Sequence, residues 1–158
     1  MEQSQYKIVL VDDEEMVVTS IKSFLELETN HEVVAFTSAK IALEFMKENE
    51  VDLVVSDYLM PDIDGIEFLS QAKDLHPKAT RILLIGYADK ENAIKAINRV
   101  GLYQYIEKPW DNDDLKLVIQ NGLEKRILLK HLEEKIREVN RAHSDLMNVQ
   151  KEVLKAFA

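Results

Sequence analysis

Cysteine is absent from the 158 residues of this chain, and proline and glycine are scarce, with three and four residues. The absence of cysteine excludes a disulfide framework and any thiolate metal site. It also fits a reducing compartment, so we expect a cytoplasmic protein. No apolar run approaches the ~20 residues that a membrane-spanning helix needs, and we therefore expect no membrane partner.

Basic residues are in the minority, and the imbalance of charge is uneven along the chain. The net charge is −9. Residues 1–123 contain 12 Lys and Arg and 23 Asp and Glu, a net charge of −11, whereas residues 124–158 contain 8 and 6, a net charge of +2. Because nucleic-acid phosphates are neutralised by clustered basic residues, an acidic first part predicts no direct binding of nucleic acid. The mixed signs of the second part are typical of a solvated helix face.

Apolar runs of strand length alternate with segments of helical periodicity over the first 123 residues. The runs lie at residues 6–12, 31–36, 51–56, 80–85 and 103–106. Asp89 and Asp111 stand where the fourth and fifth helices should be capped, and Gly101 stands where the fourth should end. Five βα units in series predict an α/β fold with a doubly wound parallel sheet. The flavodoxin-like strand order 2-1-3-4-5 would bring the ends of the first, third and fifth strands together.

Charged side chains stand at the ends of those three strands. Asp12 and Asp13 follow the first run, Asp57 follows the third, and Lys108 follows the fifth. Clustered carboxylates repel one another unless a cation balances them. Hard oxygen ligands of this kind suit Mg²⁺, which takes one or two carboxylates and keeps several waters. The sequence therefore predicts a magnesium site with an ammonium group beside it.

The last helical pattern continues from Asp113 to the end of the chain without a proline. Its apolar residues recur at alternating spacings of three and four, which is typical of a coiled coil. The seam consists of Leu129, Leu132, Ile136, Val139, His143, Leu146, Gln150, Val153 and Phe157. The polar seam residues His143 and Gln150 are of the kind that fixes register and partner number.

A lone helix of this length is marginal in water, so we expect it to pair, most simply in a parallel homodimer. The alternative is that it packs on its own domain or on residues outside this chain. Met147, Val149 and Leu154 widen the apolar stripe beyond a strict seam. We expect two parts, a domain over residues 1–123 and a helical coiled-coil extension over residues 124–158 that links it to an output domain.

In order along the chain, these motifs resemble the receiver domain of two-component response regulators, over roughly residues 5–123. Asp57 is similar to the family's phosphoacceptor, and residues 60–65, Met-Pro-Asp-Ile-Asp-Gly, are similar to the loop that follows it. Lys108 and Pro109 resemble the signature lysine and its following proline. Tyr105 stands where the family has an aromatic switch residue.

The resemblance implies a phosphoacceptor switch rather than an enzyme. Asp57 would take a phosphoryl group from a sensor histidine kinase, and Lys108 and Gly86 would bind that group. The acidic pair Asp12-Asp13 would hold Mg²⁺ together with Asp57. The main-chain carbonyl of Leu59 would complete the protein ligands.

One position departs from the family pattern. Ile85 stands at the end of the fourth strand, where the family usually has the Ser or Thr whose hydroxyl couples phosphorylation to the aromatic residue. The hydroxyl of Tyr87 is a candidate substitute. Because isoleucine donates no hydrogen bond, a receiver-like interaction module that works without phosphorylation remains an alternative. A magnesium-dependent phosphatase is a third, although Leu59 occupies the place of its second catalytic acid.

Overall fold

The computed structural model describes residues 5–156, apart from the side chains of residues 96, 98 and 99. Strands and helices alternate throughout the described range. The strands are β1 (Lys7–Val11), β2 (Glu32–Phe36), β3 (Leu53–Asp57), β4 (Thr80–Ile85) and β5 (Gln104–Glu107). The helices are α1 (Glu15–Glu28), α2 (Ala39–Glu48), α3 (Gly65–Leu75), α4 (Lys90–Val100) and α5 (Asn112–Ala156), with a 3-10 turn at Tyr87–Asp89 before α4.

The strands form one parallel sheet in the order β2-β1-β3-β4-β5, which confirms the predicted α/β fold and strand order. In the register of the sheet, Val11 pairs with Ser56, and Asp57 pairs with Leu84. The residues that follow β1 therefore lie beside the end of β3. We call this edge, where the strands end, the carboxyl edge, and the opposite edge the amino edge.

Each strand sends alternate side chains to opposite faces of the sheet, as strand geometry requires. On β3, Val54 packs with residues of α2, α3 and α4, whereas Leu53 and Val55 pack with residues of α1 and α5. The sheet is thus covered by helices on both faces. Burial on both faces explains why the strands read in sequence as almost continuous apolar runs.

The helix ends follow the predicted signals in part. The Asp111 carboxylate accepts a hydrogen bond of 2.8 Å from the Asp113 N–H, and Gly101 ends α4 in the left-handed conformation with φ of 58°. The prediction that Asp89 caps α4 with its side chain is wrong, because its side chain makes no cap hydrogen bond. The preceding 3-10 turn leads directly into α4, and the backbone of Asp89 is already helical.

Contacts between residues divide the chain into two units, residues 1–126 and 127–158. The first unit runs three residues past the predicted limit of 123 because the Arg126 side chain is buried in it. The described part of the second unit is helical and exposes its apolar seam. Phe157, the last predicted seam residue, lies outside the described residues. None of the described helices has the length and apolar character to cross a membrane.

Candidate phosphoacceptor site

Two carboxylates are buried side by side at the carboxyl edge. Asp12 directly follows β1 and is 1% exposed, while Asp57 is the last residue of β3 and is 6% exposed. Asp13, beside them, is exposed. One oxygen from each of the three carboxylates lies within 4.8 Å of the other two. The fold thus assembles an acidic cluster from residues that are up to 45 positions apart.

The ammonium group of Lys108 lies against this cluster. Its Nζ is 2.9 Å from Oδ1 of Asp57 and 3.6 Å from Oδ2 of Asp12. The Lys108 N–H donates to the carbonyl of Ile85, and the peptide bond to Pro109 is cis. Burial lowers the pKa of Lys108, but the hydrogen bond and charge of Asp57, with the charge of Asp12, outweigh it, so the pKa is raised overall. Lys108 is therefore fixed in its charged form.

Only one of the two carboxylate oxygens of Asp12 accepts a hydrogen bond from a described residue. Its Oδ1 accepts a hydrogen bond of 2.9 Å from the Glu14 N–H, but its buried Oδ2 has no hydrogen bond within residues 5–156. Burial raises the pKa of Asp12 to about 6; the charge of Asp57 adds to this rise, and the Glu14 hydrogen bond and Lys108 oppose it. Three carboxylates facing one ammonium group leave excess negative charge, and the unpartnered Oδ2 offers a ligand atom. These residues fit a divalent cation of the hard, oxygen-binding kind.

The loop after β3 holds the Asp57 carboxylate in place. Oδ1 of Asp57 accepts a hydrogen bond of 3.0 Å from the Tyr58 N–H, in addition to its contact with Lys108. Gly65 closes the loop, because its N–H donates to the Tyr58 carbonyl and a Cβ at this position would collide with the main-chain oxygen of Asp57. Asp64 then caps α3. Within the part of the chain that the structure describes, Oδ2 of Asp57 receives no hydrogen bond.

The other predicted site residues have different surroundings. Ile85 is fully buried in the apolar cluster shared by α2, α3 and α4, and Tyr105 packs against that same cluster. Tyr87, the candidate substitute for the usual Ser or Thr, is 82% exposed, and its role stays a prediction. Gly86 lies half-buried at the start of the 3-10 turn, and Leu59 is exposed in the loop after β3.

A second group of buried polar residues, at the amino edge, was not predicted. Asp52 lies 3.7 Å from Nε of Arg126, the last residue of the first unit. The Thr80 hydroxyl donates to the carbonyl of Gly122 on α5 at 2.9 Å. Arg81 donates to main-chain carbonyls, those of Pro77, Ala79, Val100 and Gly101. The sequence signal that could have identified them is a single charged residue in an apolar run. Asp52 stands just before β3, and Arg81 stands within β4.

Comparison with known proteins decides the family. A model of the response regulator receiver domain matches residues 8–120. This chain belongs to that family. The solved receiver domain protein (CheY-like) of Methanospirillum hungatei is 32% identical, has a TM-score of 0.72 and matches 78% of this chain and 97% of its own.

Longer regulatory proteins are also similar to this chain over part of their length. The hydrogenase transcriptional regulatory protein HoxA of Cupriavidus necator is 32% identical over 124 residues, which are 78% of this chain and 25% of that protein. The regulatory protein AtoC of Escherichia coli is 30% identical over 138 residues, which are 87% of this chain and 29% of that protein. This chain thus spans about a quarter of the length of these curated relatives.

Proposed function

We propose that this receiver domain takes up a phosphoryl group on Asp57 from a phosphohistidine of a partner sensor histidine kinase, with Mg²⁺ as cofactor. The observation that carries the proposal is the state of the Asp57 carboxylate. Its Oδ1 is held by Lys108 and the Tyr58 N–H, while its Oδ2 has no hydrogen bond from any described residue. A positioned carboxylate with one available oxygen is suited to nucleophilic attack.

In the proposed transfer, one bond forms at Asp57 and one bond breaks at the phosphohistidine. An Asp57 oxygen attacks phosphorus and forms an O–P bond, while the N–P bond of the phosphohistidine breaks. The electron pair of that bond remains on the imidazole nitrogen, which later takes a proton from water. Lys108 stays protonated throughout and binds a phosphoryl oxygen as a point charge. Because phosphoryl transfer depends mainly on positioning and electrostatics, few protein groups suffice.

Asp12, Asp13 and Asp57 would hold the metal, with the main-chain carbonyl of Leu59 as a further ligand. When bound, Mg²⁺ supplies the positive charge that offsets the carboxylates and the incoming phosphoryl oxygens. The unpartnered Oδ2 of Asp12 supports this assignment. Gly86, at the start of the turn after β4, would offer its N–H to the phosphoryl group.

The helical unit would carry the signal onward. Its exposed seam favours a parallel homodimer, and a rearrangement of that dimer would connect phosphorylation to an output domain. We infer no direct binding of nucleic acid by these residues, given the net charge of −11 over residues 1–123. Residues 124–158 would then act as a linker.

A second function is favoured by one observation, the fully buried Ile85. Without a hydroxyl at this position, phosphorylation of Asp57 would not reach Tyr105 by the family's usual route. The domain would then act as an interaction module whose state is independent of phosphorylation. Tyr105 and Trp110, the single tryptophan, line the same surface pocket, so we expect the fluorescence of Trp110 to report a change at Tyr105. A response to phosphorylation in Ile85→Thr but not in the wild-type protein would support the second function.

The direct test is mass spectrometry after incubation with acetyl phosphate and Mg²⁺. We expect one phosphoryl group on the wild-type chain and on Asp52→Asn, a matched control that changes another buried aspartate, directly before the start of the same strand. Asp57→Asn should take up none. An equal adduct on Asp57→Asn, or none on the wild-type chain, would overturn the proposed phosphoacceptor.

A further inference from the structure

Two basic side chains converge on Gly101, the residue that ends α4. A Cβ at this position would lie 3.3 Å from Nη2 of Arg81 and 3.6 Å from Nζ of Lys73. Gly101 is in the left-handed conformation with φ of 58°, which favours a residue without a side chain. It is also exposed. The glycine therefore leaves a gap, open to solvent, between a guanidinium and an ammonium group.

Neither cation has a carboxylate partner among the described residues. Lys73 is half-buried and makes no hydrogen bond or ion pair within that part of the chain. Arg81 is 8% exposed and forms no ion pair there either. Burial lowers the pKa of Arg81, and no described carboxylate opposes that effect. Asp74, next to Lys73 in sequence, lines a groove beside α2 instead. Two positive charges are thus held close together without a counter-charge.

The Arg81 guanidinium is fixed in position but retains a donor. Its Nε donates to the carbonyl of Val100, and its Nη1 donates to those of Pro77 and Ala79. Nη2 carries two N–H groups, and the Gly101 carbonyl is the one described acceptor, at 3.2 Å. Because Arg81 already satisfies the last carbonyls of α4, the negative end of the helix dipole is offset there. The nitrogen that borders the gap is therefore available to a ligand.

We propose that the gap at Gly101 binds an oxyanion, phosphate or a phosphate monoester, between Lys73 and Arg81. Arginine suits such anions because its donors have a fixed geometry, and lysine binds them as a point charge. An anion in the gap would offset the repulsion between the two cations. The net charge of −11 over residues 1–123 opposes any anion, so we expect weak binding. The site is separate from the phosphoacceptor site and does not depend on it.

A titration of the whole chain with inorganic phosphate, followed by amide NMR at constant ionic strength with a chelator present, tests the proposal. The amides of Gly101 and Lys73 should show saturable shifts. Loss of one charged contact should weaken phosphate binding about tenfold in Lys73→Gln. Lys40→Gln is the matched control, because it removes the same charge from an exposed lysine on α2 and should bind phosphate as the wild type does.

Gly101→Asn separates the gap from the charges that border it. Asparagine tolerates the left-handed conformation, and this variant keeps both cations while its side chain fills the gap. Phosphate binding should be lost. Glycerol 3-phosphate distinguishes the two sources of the anion. Affinity equal to that of inorganic phosphate would assign the site to phosphate monoesters as well, whereas weaker binding would assign it to free phosphate.

Three results would overturn the oxyanion site. One is a set of shifts that grows linearly with phosphate and does not saturate. Another is an equal loss of affinity in Lys73→Gln and Lys40→Gln, which would mean that phosphate responds to overall charge. The third is a set of saturable shifts confined to the surroundings of Asp57 and Lys108, which would place phosphate at the phosphoacceptor site.

Discussion

Buried charges lie at both edges of the sheet, but among the described residues two buried carboxylates face one another at the carboxyl edge. There Asp12 and Asp57 share one ammonium group, and Asp12 retains an oxygen without a hydrogen bond among the described residues. At the amino edge, Asp52 faces the opposite charge of Arg126, and Arg81 is surrounded by carbonyl acceptors. Burial of charge is therefore no sign of function by itself. The functional feature is uncompensated charge of one sign, held in place by the fold.

Similar residue types have a structural role at the amino edge. Asp52, directly before β3, and Thr80, the first residue of β4, hold the last buried turns of α5 through Arg126 and Gly122. Gly122 permits this close approach, because a Cβ there would lie 3.0 Å from side-chain atoms of Leu53 and Thr80. The two edges should thus respond in opposite directions when a carboxylate is neutralised.

The largest effect is expected from Asp52→Asn. This change leaves the buried Arg126 guanidinium without its buried charged partner, and loss of one partner of a buried pair costs about 3 kcal/mol. Chemical denaturation should show a lower free energy of unfolding by that amount. Glu50→Gln is the matched control, because Glu50 lies 4.0 Å from Arg126 on an exposed side chain and its removal should cost less than about 0.5 kcal/mol. Equal losses in the free energy of unfolding for the two variants would show that Asp52 is not the main charged partner of Arg126.

A smaller effect of opposite sign is expected from Asp12→Asn. The folded-state pKa of Asp12 is raised to about 6, so folding favours the protonated form and the ionised carboxylate destabilises the protein at neutral pH. In the presence of a chelator at pH 7.5, the variant should be more stable than the wild type by about 1 to 2 kcal/mol. The gain should shrink as the pH falls below about 6, where Asp12 of the wild type takes up its proton. A destabilised variant at pH 7.5 would contradict the idea of uncompensated charge.

The smallest effect is expected from Thr80→Val. Valine keeps the shape of threonine and the contact with Gly122 but removes the hydroxyl donor. One lost hydrogen bond at a buried site costs about 1 kcal/mol. The unfolding midpoint in urea should fall without a change in the denaturant slope, and phosphorylation of Asp57 should be unchanged. A change in phosphorylation of Asp57 would mean that the two edges are coupled, whereas the comparison between them expects each edge to act independently.

The sequence was sufficient for the strand order and for the members of the acidic cluster, because each charged residue stands at the end of an apolar run. It was insufficient for the amino edge. Arg126 lies 74 residues from Asp52, and nothing in a mixed-charge helix distinguishes one arginine as buried. It also did not predict the 3-10 turn after β4, in which Tyr87 is exposed. Local periodicity predicts individual helices and strands, whereas contacts between residues of distant helices and strands depend on tertiary packing.

The measurement that tests the central claim most directly is the shift in unfolding temperature on adding Mg²⁺. A ligand that binds only the folded state stabilises it in proportion to its affinity. We expect Mg²⁺ to raise the unfolding temperature of the wild type and of Asp52→Asn by similar amounts, and that of Asp57→Asn by much less. An undiminished rise in Asp57→Asn would mean that the carboxylates at the carboxyl edge do not form the cation site.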